Sequence, residues 1–175
     1  MYRKMRRFRQ QLPEKDAIGI LESASAGILS LIDSDGLPYG VPLSYAFDGK
    51  DSIYFHSALS GHKIECLTAN PSCSFCIIDQ DEVHPEEFTT YFRSVIARGT
   101  IHRVTDPDEI NHGLNLLCDK YSPGIDATTE INKFIKNVAV LRLDITGITG
   151  KEAIELTRQR PKTVPDSTAQ LPYVF

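Results

Sequence analysis

Long apolar runs are missing from this 175-residue chain. No uninterrupted hydrophobic stretch reaches the length needed to cross a bilayer, and the N-terminus lacks the apolar region of a secretory signal. A cytoplasmic protein with no membrane partner is the expectation. Neither sign of charge dominates, since 19 Lys and Arg stand against 23 Asp and Glu, so general nucleic-acid binding is not expected. There is no glycine-rich dinucleotide fingerprint, no Ser-His-Asp or Cys-His arrangement can be asserted, and no repeat or low-complexity tract is present. His84, His102 and His112 stand at no metal-ligand spacing with carboxylates or cysteines, and no metal site is expected. Cysteines are few: Cys66, Cys73, Cys76 and Cys118. A chain of this size without an export signal needs no disulfide staples, so free thiols are expected. Cys73 and Cys76 form a C-x-x-C, which invites a redox or zinc reading. They fall in an apparent strand over 72–78, however, where odd spacing sends them to opposite faces.

What is present describes one domain over 1–160, followed by a Pro161, Pro165 and Pro172-bearing tail over 161–175 that reads as extended or disordered. The end of that tail, 171–175, could dock onto a partner subunit. The basic stretch Arg3, Lys4, Arg6, Arg7 and Arg9 reads as a solvated or partner-facing arm. A short helix follows Pro13, which is expected at the first helical position. Apolar and β-branched runs predict strands over 28–32, 39–47, 53–56, 74–79, 90–104 and 138–145, with a polar loop over 80–87. Asp106-Pro107-Asp108-Glu109 predicts a capped helix to about Tyr121, and a second helical piece is expected over 128–136. Pro42 inside a strand argues for an edge, bulge or bend, where backbone groups are left for a ligand. About six strands with few helices in this order predict a mainly β fold, a small antiparallel barrel with peripheral helices.

The most informative stretch runs from Tyr54 through Phe55, His56, Ser57, Ala58, Leu59, Ser60 and Gly61 to His62 and Lys63. It carries a strand into a helix that begins near Gly61, with Ser60 as the N-cap candidate and Asn70-Pro71 as the stop. Cations in a helix's first turn oppose the macrodipole, and the turn's amides lack intrahelical acceptors. A bound anion at His62 and Lys63 reconciles both facts. A solvated helix start with two incidental bases is the other reading, just as an ordinary half-buried histidine is the other reading of His56.

Several blocks together resemble one family: Gly36-x-Pro38-Tyr39-Gly40-Val41-Pro42-Leu43-Ser44-Tyr45, Ile53 through Ala58 with Gly61-His62-Lys63, Tyr91-Phe92-Arg93-Ser94-Val95, Lys120-Tyr121-Ser122-Pro123, and Ile148 through Ala153. They are similar to the Nim-type 5-nitroimidazole resistance proteins, members of the pyridoxamine-5′-phosphate-oxidase-like flavin-binding split-barrel superfamily. The resemblance spans about 5–158. It implies a six-stranded split barrel and a homodimer with interface flavin sites, holding FMN or, alternatively, FAD. Val41, Pro42, Leu43 and Ser44 would line the isoalloxazine edge, His56 and Ser57 would face the ribityl chain, and Gly61, His62 and Lys63 would hold the phosphate. Tyr91, Arg93 and Ser94 would border the interface and reach the cofactor of either subunit. The implied activity is reduction of nitro groups on small 5-nitroimidazole-like molecules, with electrons from NAD(P)H or another donor and His62 as the catalytic residue. A non-catalytic flavin- or haem-binding carrier or sensor is the alternative.

Overall fold

Alternation decides the layers of this protein. In β1 (Ala26–Ile32) Leu29 and Leu31 are buried while Ile28 and Ile32 face out, so one face of the strand belongs to the core. The computed structural model describes residues 4–160; Arg3 and the 161–175 tail lie outside the described residues. The remaining strands are β2 (Pro38–Ser44), β3 (Ala46–Phe47), β4 (Ser52–Ala58), β5 (Ser72–His84), β6 (Thr89–Arg103) and β7 (Val138–Glu152). Helices α1 (Glu14–Ser23), α2 (His62–Ala69), α3 (Pro107–Tyr121), α4 (Thr128–Phe134) and α5 (Ile154–Gln159) surround them. Pro13 caps α1 from outside rather than occupying its first position.

The strands form one sheet in the order β2-β1-β5-β6-β7-β4-β3, with every neighbouring pair antiparallel. Its two edges, β2 and β3, are consecutive in the chain and meet at Tyr45. The barrel is therefore joined there by covalent continuity and not by a hydrogen-bonded ladder, which is the architecture of a split barrel. The single extended stretch expected over 39–47 divides at this residue because its halves pair with different partners, β1 and β4. That division turns six strands into seven.

Tyr45 leaves the ladder, so its backbone groups need other partners. The Tyr121 hydroxyl at the end of α3 accepts from the Tyr45 amide at 2.9 Å and lies 2.9 Å from its carbonyl and 2.5 Å from that of Ser25. The Tyr45 hydroxyl donates to the Leu21 carbonyl at 2.6 Å, and Lys120 Nζ sits 3.8 Å from the centre of its ring. α3 itself starts as its sequence requires, with Asp106 accepting from the Glu109 amide at 2.9 Å and Pro107 in the first turn.

Two apolar clusters result among the described residues. The larger fills the barrel with Leu29, Leu31, Phe55, Phe75, Ile77, Val95 and Leu141, closed by Ala17 and Leu21 of α1 and Cys66 and Leu67 of α2. The smaller packs Tyr54 and Val140 beneath Leu114 of α3 and Ile131 of α4. Gly99 sits at a register shift in β6, where an added Cβ would fall 1.8 Å from the Asp144 carbonyl oxygen, so no larger residue fits.

The expected loop over 80–87 is strand as far as His84, and only Pro85–Glu87 form a short 3-10 turn at the tip. β5 continues to His84 and pairs with β6 as far as Thr89, while the β7 ladder stops at Arg93. The outer part of this hairpin is a two-stranded arm with no buried residue on either face. No helix among the described residues is long and apolar enough to cross a membrane.

Candidate flavin site

The cap of α2 is Gly61 and not Ser60, because the chain leaves β4 through a φ of 124°, a conformation for glycine. No side chain caps this helix. The Gly61 carbonyl accepts from the Ile64 and Glu65 amides at 2.8 and 3.1 Å, so the amides of His62 and Lys63 precede the first intrahelical bond. Lys63 is half-buried, burial lowers its pKa, and it has no carboxylate partner among the described residues. A desolvated ammonium beside open amides at the positive end of a helix suits a phosphate.

His62 is held in place while its edge stays in solvent. Its ring meets Tyr39 of β2 edge to face at 4.6 Å, Nε2 lies 3.6 Å from Cys66 Sγ, and Nδ1 lies 3.8 Å from Glu65 Oε2. Burial raises the pKa of Cys66, so the thiol remains a weak hydrogen-bonding partner and not a thiolate. Tyr39 and Cys66 were not singled out as site residues from the sequence; the i, i+4 spacing of His62 and Cys66 on one helix was the available signal.

The other expected residues fall into three places. Val41 and Leu43 point inward against the core, while Pro42 and Ser44 face out. All four belong to an edge strand that, among the described residues, pairs only with β1, which leaves its outer backbone groups open to a ligand. In β4, His56 is exposed and Ser57 half-buried at the end that leads into α2.

Tyr91, Arg93 and Ser94 are not brought to His62 within one chain. Tyr39 pairs with Leu31 at the end of the sheet that holds Cys73 and Gly99. Arg93 lies farther along β6, on the order of 20 Å away at the ordinary strand rise. Its Nε instead contacts Glu152 Oε2 at 3.3 Å, and the Tyr91 hydroxyl donates to Glu87 at 2.9 Å. Glu152 is fully buried and also meets Arg160 Nε at 2.6 Å.

Cys73 and Cys76 do face opposite ways. Cys73 packs on the core, where burial pushes its thiol up to about 12, and Cys76 lines the outer face with Ile28, Pro42 and Ile78.

The family model described as pyridoxamine 5'-phosphate oxidase matches residues 13–152, which carry the sheet, the α2 start and Glu152. The chain belongs to this family. Among solved structures, it resembles a candidate 5-nitroimidazole antibiotic resistance protein from Bacteroides thetaiotaomicron at 23% identity and TM-score 0.71, over 81% of this chain and 86% of that one. An FAD-binding protein from Mesorhizobium loti is similar at 25% identity and TM-score 0.61, over 82% of this chain and 96% of that one. The FAD and heme binding protein from Mycobacterium smegmatis shares the fold at 19% identity and TM-score 0.69, over 94% and 93%. No curated protein matches the sequence.

Proposed function

We propose that this family member binds a flavin, with FMN favoured, and reduces nitro groups of small 5-nitroimidazole-like molecules using electrons from NAD(P)H or another donor. The observation that carries the reading is the α2 start, where open amides, a half-buried Lys63 and a solvent-edged His62 share one turn beside the free edge of β2. A flavin there would supply transfer of electron pairs. Lys63 and the amides of His62 and Lys63 would hold its phosphate, and Ser57 would face the ribityl chain. The backbone of Val41 through Ser44 would meet the ring edge. His62, fixed by Tyr39 and Cys66, would donate a hydrogen bond or proton to a nitro oxygen as the substrate gains electrons. FMN ends at this phosphate and needs no second nucleotide pocket; FAD is the alternative that the mass of the copurifying cofactor decides.

The same reading makes the protein a homodimer. Ile28 is 40% exposed and Ile78 60%, and with Pro42, Cys76 and Ile96 they form an apolar outer sheet face next to the β2 edge. A second copy seated on that face would cover it and bring its own Tyr91, Arg93 and Ser94 toward the cofactor. A cytoplasmic location accords with these partners.

Anaerobic NADH or NADPH is expected to bleach the bound flavin, and a nitroimidazole to restore its colour. Flavin that binds but is neither reduced nor reoxidised in this way would favour the carrier or sensor reading, for which the FAD and heme binding relative of the same fold is the precedent.

A further inference from the structure

The β5–β6 arm ends in a residue that its own fold does not reward. Phe88 stands in the left-handed region at φ 53° and ψ 39°, a conformation suited to glycine or asparagine, and 97% of it is exposed. A bulky aromatic side chain held in strained backbone and in full solvent points to a contact outside the chain. Val83, 69% exposed, is on the same arm opposite Thr90. Between Ile78 and Ser94 the arm carries Asp79, Asp81, Glu82, Glu86 and Glu87 against the single Arg93. Its tip is stiffened by His84, which lies over Tyr91 at 4.0 Å and contacts Glu82 and Glu86 at 3.5 and 3.3 Å.

The complementary surface is at the other end of the sequence. Lys4, Arg6, Arg7 and Arg9 are exposed, and none has an ion-pair partner among the described residues. With Phe8, 65% exposed, and Ile154, the three arginines line a cavity of about 270 Å³. A cavity on the order of 150 Å³ already admits a benzene ring. The arm cannot reach this cavity in its own chain. The Ala153 amide ties the start of α5 to the Phe92 carbonyl at 2.9 Å, and Phe88 lies beyond that tie, about 13 Å farther out by strand rise.

We propose that the acidic arm tip of one copy docks on the basic Arg6, Arg7 and Arg9 surface of a second copy, with Phe88 entering the cavity between Phe8 and Ile154. Exchange of two arms is isologous and closes into a dimer. The contact adds to the sheet-face dimer proposed above and is independent of the cofactor.

Replacing Phe88 by a photo-crosslinking aromatic residue in the full chain should give a product of dimer mass, with its crosslink mapped to residues 6–9 or to Ile154. Phe88→Gly is the second test, because glycine accepts the φ of 53° and so leaves the protomer fold in place. It should weaken dimerisation about tenfold or more, as loss of a central aromatic anchor does. A dimer whose crosslink maps elsewhere, or whose affinity survives Phe88→Gly, overturns the arm exchange while leaving the sheet-face dimer intact. A monomer at micromolar concentration removes both.

Discussion

His62→Ala is expected to slow reoxidation of the reduced flavin by a nitroimidazole about 10²–10⁴-fold, the usual range for loss of a positioned general acid. Stopped-flow absorbance of the anaerobically reduced protein measures it. The fold should survive, because the imidazole is half in solvent and contributes nothing to either apolar cluster. Flavin affinity should change little, because the phosphate's partners on this reading are chiefly Lys63 and backbone amides that alanine retains. Tyr39 and Cys66 fix the ring on two sides, so its free edge has one direction in which to act. Unchanged reoxidation with much weaker flavin binding would make His62 a phosphate ligand only.

Removing both arginines that meet Glu152 is expected to be strongly destabilising, whatever Arg93 contributes to a cofactor. The carboxylate is fully buried, and Arg93 and Arg160 are its ion-pair partners at 3.3 and 2.6 Å. An uncompensated buried charge typically costs about 3–5 kcal/mol, so Arg93→Met with Arg160→Met should lower the unfolding free energy by that order in urea titrations at neutral pH. Adding Glu152→Leu should recover most of the loss, since an apolar replacement of a buried ion group is often neutral. Failure of the triple variant to recover would mean that the arginines stabilise through other contacts, such as that of Arg160 with the Gln11 carbonyl at 3.1 Å.

Local signals in the sequence carried most of the fold and little of its long-range pairing. The α3 cap was legible because Asp106, Pro107 and Glu109 act within one turn, and the odd spacing of Cys73 and Cys76 correctly placed them on opposite faces. The β5 half of the arm was not legible as strand, whereas its β6 half falls in the stretch expected over 90–104. With neither face buried, β5 has no apolar alternation here, and its Asp, Gln and Glu residues read as loop although its backbone is laddered. Nor was the division at Tyr45, which depends on the Tyr121 hydroxyl arriving from 76 residues away. At the site, the helix start stood out because strand end, glycine, histidine and lysine are contiguous. The engagement of Arg93 by Glu152 joins residues 59 apart and leaves no periodic trace, so the sequence offered no sign of it.

The most direct test of the central claim, that the α2 start holds a flavin phosphate, compares FMN with riboflavin by fluorescence titration in the wild type and in Lys63→Ala. A charged hydrogen bond is worth about 1.5–3 kcal/mol. The wild type should therefore bind FMN tenfold to a hundredfold more tightly than riboflavin, roughly that energy in affinity, and Lys63→Ala should lose most of the difference. Equal affinities for the two flavins in the wild type, or a preference for FMN that survives Lys63→Ala in full, would contradict the account.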